Sequence, residues 1–268
     1  RHNLNFTIGK QFVNFGGYEY YVNSIRVREF SEFNNLLTAY QAGISGNWQV
    51  NPDHELCFQI VNNRNGNDED IYPTGLPEGT AKAKIPFMYT VNWNSYYLDK
   101  SLQLRYATAV GQQTRKRYSY YFTCGNTYEK GPLLTYLDVM YTRQGIDQHG
   151  VVSRLPGTPH TAMNTEYLSI IGDVDYRVHP QWNVYVKGAY ETARVYKGNG
   201  DFRKGMYRRS WNAQSSVEFF PFKQLDLFVF VLYTYRGVIL EKAATRMGAI
   251  EPDTHRISLG LVYSIPVF

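Results

Sequence analysis

Long segments in which large apolar residues alternate with small or polar ones constrain the fold of this chain more than any other feature. In "FMYTVNWN" (87–94) every second residue is large and apolar, and the same pattern runs through "YQAGISGNW" (40–48) and "WNVYVKGAYE" (182–191). A period of two residues is typical of a β-strand that presents one apolar and one polar face. The pattern predicts an all-β chain of about 12 strands, each roughly 9 to 14 residues long.

The predicted connections differ in length at alternate ends of the strands. Short turns at 98–101, 177–182 and 221–224 alternate with longer polar segments at 62–84, 111–118, 144–166, 197–209 and 242–255. Strands of this length suit a tilted passage through a bilayer, and the loop asymmetry is typical of outer-membrane barrels. We therefore predict an antiparallel transmembrane β-barrel in the bacterial outer membrane, with short periplasmic turns and long extracellular loops. No linker divides residues 1–268, which we expect to form a single domain.

A soluble β-sandwich or lipocalin-like barrel would also show alternating strands. Here the set opposite the apolar residues is small and weakly polar, whereas sheets that face water carry more charge. The chain has 24 tyrosines and 15 phenylalanines, and aromatic residues near predicted strand ends would form interfacial girdles. These residues are Trp48, Trp93, Tyr96, Tyr97, Trp182, Trp211 and Phe222. The membrane barrel is thus the preferred interpretation.

The last residues, "HRISLGLVYSIPVF" (255–268), alternate up to a terminal Phe268. Bacterial outer-membrane barrels commonly end in an amphipathic strand that closes on phenylalanine. By strict alternation Phe268 falls on the lumen side, unless a bulge at Pro266 resets the register.

The segment "FTIGKQFVNFGGYEYYVNS" (6–24) carries a family resemblance in Phe12, Gly16, Gly17 and Glu19. It resembles a segment of the phosphate-selective porins O and P, in the form found in Bacteroidetes. Val13-Asn14 stands where the family often has a proline. The resemblance implies an outer-membrane porin of about 16 strands in the intact protein, of which this chain is expected to lack the first four, and a homotrimer.

The same resemblance implies that loop 13–35 folds into the lumen as a constriction loop. Opposing fixed charges in a confined space select solutes, and this loop contains both signs. The predicted constriction residues are Glu19, Arg26, Arg28, Glu29 and Glu32.

Projection of the strands predicts which charges face the lumen. The lumen-lining set contains Arg105, Asp138, Asp173, Asp175, Arg177, Lys187 and Glu191, joined by Glu55 and Glu218. Charges of both signs occur, so this set does not form a continuous row of cations that would bind phosphate.

The net charge of +5 instead arises largely in the loops. There the sequence predicts a basic mouth of Arg115, Lys116, Arg117, Arg203, Lys204, Arg208 and Arg209, with Lys242 and Arg246. Such a mouth could attract anions or bind anionic lipopolysaccharide, and the sequence leaves both open.

We expect a porin for passive diffusion of small hydrophilic solutes, with anions such as phosphate as the finer expectation. The alternative is a plugged or scaffold barrel within a larger outer-membrane complex. A barrel enzyme is the third class, but no nucleophile can be assigned beside Asp147 and His149, so no enzyme and no cofactor are predicted. The tyrosines of "RKRYSYYF" fit a girdle better than a nucleic-acid surface.

Metal and disulfide sites receive little support. Residues 65–70 are rich in oxygen ligands but lack EF-hand spacing, which leaves calcium a weak candidate and no metal predicted. The histidines show no metal-ligand spacing. Cys57 and Cys124 fall on strands that should not be neighbours, so two free thiols are expected.

Overall fold

The alternating segments pair into one antiparallel sheet of twelve strands, in which each strand is hydrogen-bonded to the next along the chain. The computed structural model describes residues 3–18, 40–63, 72, 75–81, 83–148, 150–155, 160–200, 202–222 and 227–263. The strands are β1 (Asn3–Phe12), β2 (Tyr40–Asn51), β3 (His54–Asn62), β4 (Phe87–Tyr97), β5 (Leu102–Thr114), β6 (Arg117–Lys130), β7 (Leu133–Ile146), β8 (Met163–His179), β9 (Trp182–Val195), β10 (Gly205–Phe219), β11 (Leu227–Leu240) and β12 (Thr254–Tyr263). The predicted all-β, antiparallel class and the strand count are confirmed.

The two ends of the sheet differ in their connections. At one end, two residues separate β2 from β3, β6 from β7 and β8 from β9. At the other end, the connections after β7 and β11 are longer and carry a 3₁₀ turn (Val152–Arg154) and a single helical turn, α1 (Lys242–Thr245). Within the described residues, no ladder joins β1 to β12. The described residues contain no helix that is long and apolar enough to cross a membrane.

Two of the predicted long loops are shorter in the structure. The segment 111–118 is not a loop, because β5 continues to Thr114 and β6 begins at Arg117. Polar residues of this segment are satisfied inside the sheet: the side chain of Gln113 donates to the carbonyl of Ile146 (2.6 Å) and accepts from its amide (2.9 Å). The segment 197–209 is likewise interrupted, since β10 begins at Gly205 and includes Arg208 and Arg209.

The two faces of the sheet have opposite character. One face, here called the outer face, exposes large apolar side chains such as Ile60, Val91 and Val186. On the opposite inner face, polar side chains including Thr123 and Asp138 are completely buried. The α-helix among the described residues has four residues, so this part of the chain provides no helical layer over the inner face, and burial of that face is consistent with a curved sheet. An apolar outer face and a polar enclosed face are the pattern of a barrel whose outside contacts lipid.

Six of the seven aromatic residues predicted for the interfacial girdles are exposed, whereas Tyr96 is half-buried. Trp48, Trp93, Tyr97, Trp182, Trp211 and Phe222 are all exposed, and most sit near an end of their strand. Indole and phenol rings are favoured at the level of lipid headgroups. The expected bulge at Pro266 and the position of Phe268 lie outside the described residues.

Candidate functional site

The inner face is lined by polar side chains that alternation brings to one side of β3 to β10. Its buried members include Gln59, Thr90, Asn92, Asn94, Thr123, Asp138, Thr142, Gln144, Ser169, Asp173, Asp175, Asn183, Lys187, Glu191, Gln214, Ser216 and Glu218. A polar face of this extent costs free energy unless its groups find partners or water. The inner face is therefore a surface for polar solutes, water or inserted protein segments.

Residues 13–18, here called the inward segment, leave β1 and cross the inner face. At the near side, the amide of Asn14 donates to Oε1 of Gln59 on β3 at 2.7 Å. The side-chain amide of Asn92, on β4, donates to Oδ1 of Asn14 at 2.6 Å. The Phe15 ring meets Tyr121 of β6 edge-on, with ring centroids 5.9 Å apart. Side chains of the inner face thus hold the start of this segment in place.

At the far side, the inward segment reaches β7. The amide of Tyr18 donates to Oδ1 of Asp138 at 2.9 Å, and Nη1 of Arg105 donates to the carbonyl of Gly17 at 3.4 Å. A Cβ atom at Gly17 would overlap the Asp138 carboxylate, and Gly16 has a φ of 110°. Both glycines are needed, one for its close approach and one for its backbone conformation. The inward segment therefore spans the inner face from β3 to β7.

The predicted constriction residues follow directly on this segment. Glu19, Arg26, Arg28, Glu29 and Glu32 lie outside the described residues, as does most of the predicted loop 13–35. Their part in a constriction stays a prediction.

The predicted lumen charges on β8 to β10 lie on the inner face, and several of them accept hydrogen bonds from neighbouring side chains. The Nδ2 atom of Asn183 donates to Asp175 at 2.7 Å and to Glu218 at 3.0 Å. The hydroxyl of Ser169 donates to Glu191 at 3.0 Å. Asp173 lies opposite Lys187 in the β8–β9 ladder.

This wall is acidic. Among the described residues, Asp173, Asp175, Glu191 and Glu218 are buried there beside Lys187, while a second buried cation, Arg208, lies farther along β10 towards the long loops. Arg177 is partly buried near the short-turn end, where its guanidinium lies 3.8 Å above the Phe220 ring. We expect the wall to attract cations and repel anions at short range.

A small cavity lies near the long-loop end of the inner face, and we call it the mouth pocket. Its volume is about 250 Å³, and its lining is Val151, Arg154, Leu155, Arg208, Arg236, Ala249, Ile250 and Glu251. Arg208 and Arg236 occupy inner-face positions of β10 and β11. Nη2 of Arg236 is 2.9 Å, and Nη1 of Arg208 is 3.5 Å, from Oε1 of Glu251.

Three arginines and one carboxylate line the mouth pocket, so its formal charge is positive. Arg208 belongs to the predicted basic mouth, whereas Arg154, Arg236 and Glu251 were missed by the sequence reasoning. Arg236 could have been noticed, because it is the only charged residue of β11. Arg154 and Glu251 lie in separate loops, and no sequence pattern brings them together.

A buried carboxylate anchors the loop that forms one side of the mouth pocket. Asp147 accepts hydrogen bonds from the Tyr167 hydroxyl (2.5 Å), the Ser153 amide (2.8 Å) and the Thr165 hydroxyl (3.2 Å). Burial raises the pKa of Asp147, and these hydrogen bonds offset part of the increase. Every contact of this group fixes loop geometry, which gives Asp147 a structural role; His149 lies outside the described residues.

The other predicted mouth residues are distributed around the long-loop end. Arg115 and Lys116 form the exposed turn between β5 and β6, next to a cavity of about 570 Å³ that Glu78 also lines. Nη1 of Arg117 donates to the Gly145 carbonyl at 3.2 Å. Arg203 and Lys204 are exposed in the β9–β10 connection.

Arg208 and Arg209 are neighbours in β10, and they point to opposite faces. Arg208 is on the inner face in the mouth pocket. Arg209 is on the outer face and pairs with Glu241. Only one of the two can therefore contact a solute inside the barrel.

Metal and disulfide chemistry find no site in the described part of the chain. It contains no group of three or more His, Cys, Asp or Glu residues placed to hold a metal ion. Cys57 and Cys124 are free thiols, on β3 and β6. The weak calcium candidate at 65–70 lies outside the described residues.

The sheet is apolar outside and polar inside, and the inward segment with its glycines crosses its inner face. The sequence of this chain matches a known family along almost its whole length. The family model for phosphate-selective porin O and P matches residues 1–265. The chain belongs to this family. The resemblance carried by Phe12, Gly16, Gly17 and Glu19 is thereby confirmed.

Solved structures with the same fold are outer-membrane proteins. The outer membrane channel DcaP of Acinetobacter baumannii is 13% identical, with a TM-score of 0.61 over 99% of this chain and 74% of that chain. OmpT of Vibrio cholerae, folded in vitro, is also 13% identical, with a TM-score of 0.57 over 96% of this chain and 75% of that one. A comparison with curated proteins found no match.

Family and fold together make this porin-family chain an outer-membrane channel, located in the bacterial outer membrane. At identities this low, the structural likeness describes the fold alone. The solutes, the selectivity and the assembly of the channel have to be argued from its own residues.

Proposed function

We propose that this chain forms a passive diffusion channel for small hydrophilic solutes and that none of its residues performs chemistry. The observation that carries the proposal is the enclosed inner face, where polar side chains line β3 to β10 while apolar side chains cover the outside. A polar passage through an apolar shell lets hydrated solutes cross without entering lipid.

The finer proposal is a weak preference for anions, with phosphate as the solute that the family name suggests. Its support is the positive charge at the long-loop end, including Arg208 and Arg236 in the mouth pocket. Attraction by these charges raises the anion concentration near the entrance and is screened beyond about 8 Å at physiological salt. The acidic wall deeper inside opposes anions, so the preference is expected to be weak.

A second candidate, a plugged or scaffold barrel within a larger outer-membrane complex, is favoured by one specific observation. The inward segment is hydrogen-bonded across the inner face from β3 to β7. If the remainder of the predicted loop 13–35 filled the space beside it, solutes would not pass.

For the assembled protein we further propose the homotrimer implied by the family.

Liposome swelling tests this proposal. Vesicles that contain the full-length protein should admit small sugars at rates that fall as solute size increases. A size-independent rate equal to that of empty vesicles would refute the diffusion channel and favour the plugged barrel.

Variants of the mouth pocket test the anion preference separately. Replacing Arg154 and Arg236 by glutamine should shift the reversal potential towards cation selectivity, and the shift should shrink as salt is raised. The matched control replaces Arg143 and Arg194, which lie on the outer face, and should leave the reversal potential unchanged. Equal shifts in both variants would show that the pocket has no special part in selectivity.

A further inference from the structure

Three charged side chains form a row across the outer face of β7, β8 and β9. Arg143 lies directly opposite Glu166, and Glu166 lies directly opposite Arg194. Nε of Arg194 is 3.1 Å, and Nε of Arg143 is 3.7 Å, from the Glu166 carboxylate. Adjacent strands are about 4.8 Å apart, so the two arginine backbones are separated by about 10 Å. We call these residues the arginine row.

The arginine row presents positive charge outward. The side chains of Arg143 and Arg194 are 49% and 46% exposed, whereas the Glu166 carboxylate between them is only 12% exposed. The Arg143 guanidinium also lies 3.9 Å above the Tyr196 ring, which holds it in position. An approaching ligand would meet two cations that cover one anion.

The row lies at the membrane boundary. Along the outer face of its strands, the next residues towards the middle of the sheet are aromatic or apolar, among them Tyr141, Leu168 and Ile170. In the other direction the strands end at the longer loops. Tyr120 is exposed and lies directly opposite Arg143, and tyrosine is typical of the level of lipid headgroups.

The charge at the two ends of the barrel is asymmetric. At the short-turn end, exposed charges of both signs occur, as in Asp99, Lys100 and Lys130. At the long-loop end the described residues are predominantly basic, including Arg115, Lys116, Arg143, Arg194, Lys197, Arg203, Lys204, Arg209 and Lys242. In an outer-membrane barrel the long loops are extracellular, so this surplus faces the outer leaflet.

We propose that the arginine row is a docking site for the phosphorylated glycolipid of the outer leaflet. The two guanidinium groups would bind a headgroup phosphate by charge-assisted hydrogen bonds, while the acyl chains lie along the apolar strand surface below. This site is on the opposite face of the sheet from the channel interior, so its role does not depend on the proposed transport function.

Binding of diphosphorylated lipid A to the full-length protein in detergent micelles, followed by native mass spectrometry, tests the site. Removal of one arginine near an anionic lipid surface weakens binding by about fivefold, so replacing Arg143 and Arg194 by glutamine should weaken it by about 25-fold. The matched control, Arg203→Gln with Lys204→Gln, removes the same charge from an exposed loop and should change binding less than about threefold. Equal loss in both variants would overturn the proposal in favour of general attraction.

Two further variants separate docking from folding. Glu166→Gln removes the covered anion while both arginines remain, and should tighten lipid A binding by about fivefold. The triple variant Arg143→Gln, Glu166→Gln, Arg194→Gln leaves no charge in the arginine row, and should fold normally yet bind weakly. Unchanged binding in the triple variant would refute the site.

Two competing occupants have their own signatures. Inorganic phosphate at the same concentration as lipid A should not displace it, and displacement would identify a site for free anions instead. If the triple variant changes the oligomeric state rather than lipid binding, the row is a contact between copies of the chain and the lipid proposal is wrong.

Discussion

At the scale of single residues, the inward segment packs so closely against the inner face that a glycine in it cannot be replaced by a larger residue without displacing a neighbour. Gly17 lies against the Asp138 carboxylate, and Gly125 of β6 approaches both of them. The inward segment, β6 and β7 can approach one another there because the first two have glycine at the point of contact. Close packing of this kind makes the cost of an added methyl group predictable.

Replacing Gly17 by alanine should destabilise the folded protein by about 1–3 kcal/mol, because the new Cβ atom forces the Asp138 carboxylate to move. The measurement is the temperature at which the folded form is lost in heat-modifiable gel mobility. Gly172→Ala is the matched control, since a Cβ atom there meets only ordinary contacts. Equal melting of the two variants would contradict the packing described around Gly17.

Asp147 should give the β7–β8 loop a pH dependence of definite sign. Burial raises its pKa in the folded loop, so the folded loop binds the proton more tightly than an unfolded chain does. The resulting stabilisation is fully present below the ordinary pKa of aspartate, about 3.9, and is lost as pH rises through the raised value. Acidification should therefore tighten this loop.

Hydrogen-exchange protection of the segment 147–155, corrected for intrinsic exchange rates, measures this effect. Protection should be greatest near the ordinary aspartate pKa of about 3.9 and should decrease as pH rises towards 8. In Asp147→Asn this decrease should vanish, because the titrating group is gone. Protection that rises with pH in the unmodified protein would contradict the buried environment of Asp147.

At the scale of elements, the alternation of the sequence was sufficient to predict the strands and their two faces. Residues such as Asp138, Lys187 and Glu191 were assigned to the inner face from parity alone, and the structure has them there. The β5–β6 connection was predicted wrongly, because Gln112, Gln113 and Thr114 look like loop residues until the partners inside the sheet are known. Because the inner face is polar, the strand ends near the long loops contain the same polar residue types as the loops themselves.

Contacts between distant elements could not be predicted. Asn14 and Gln59 are 45 residues apart, and no period or motif relates them. The mouth pocket joins Arg154, Arg236 and Glu251 from a loop, a strand and another loop. Such groups are set by the curvature of the sheet and by loop conformation, which strand alternation does not encode.

The inward segment should be released when its far anchor is removed. Asp138→Ala eliminates the acceptor for the Tyr18 amide, and we expect a higher and noisier single-channel conductance as the segment moves. Asp138→Asn keeps an oxygen acceptor and should behave more like the unmodified protein. Identical conductance in all three proteins would show that the segment does not limit the passage.

At the scale of the whole molecule, apolar side chains cover the outside of the sheet and a largely polar set lines the enclosed face of β3 to β10, as expected for a barrel in lipid. This arrangement predicts that the cost of a charge on the outer face depends on its depth in the membrane. Strand β8 offers both depths on one face, with Ile170 near its middle and Val178 near its end.

Ile170→Arg should destabilise the barrel by about 2–4 kcal/mol, and Val178→Arg by about 0–1 kcal/mol. The yield of heat-modifiable, folded protein after refolding into lipid vesicles measures the difference. Similar yields for the two variants would mean that the outer face of β8 does not contact hydrocarbon, which would contradict the assignment of the two faces.

Single-channel recording of the purified full-length protein in a planar bilayer under a KCl gradient tests the central claim most directly. We predict stable conductance steps with a weakly anion-selective reversal potential that moves towards zero selectivity as salt is raised. If protein that is folded by its gel mobility repeatedly gives no conductance steps, the enclosed polar face is not an open passage and the diffusion channel is refuted.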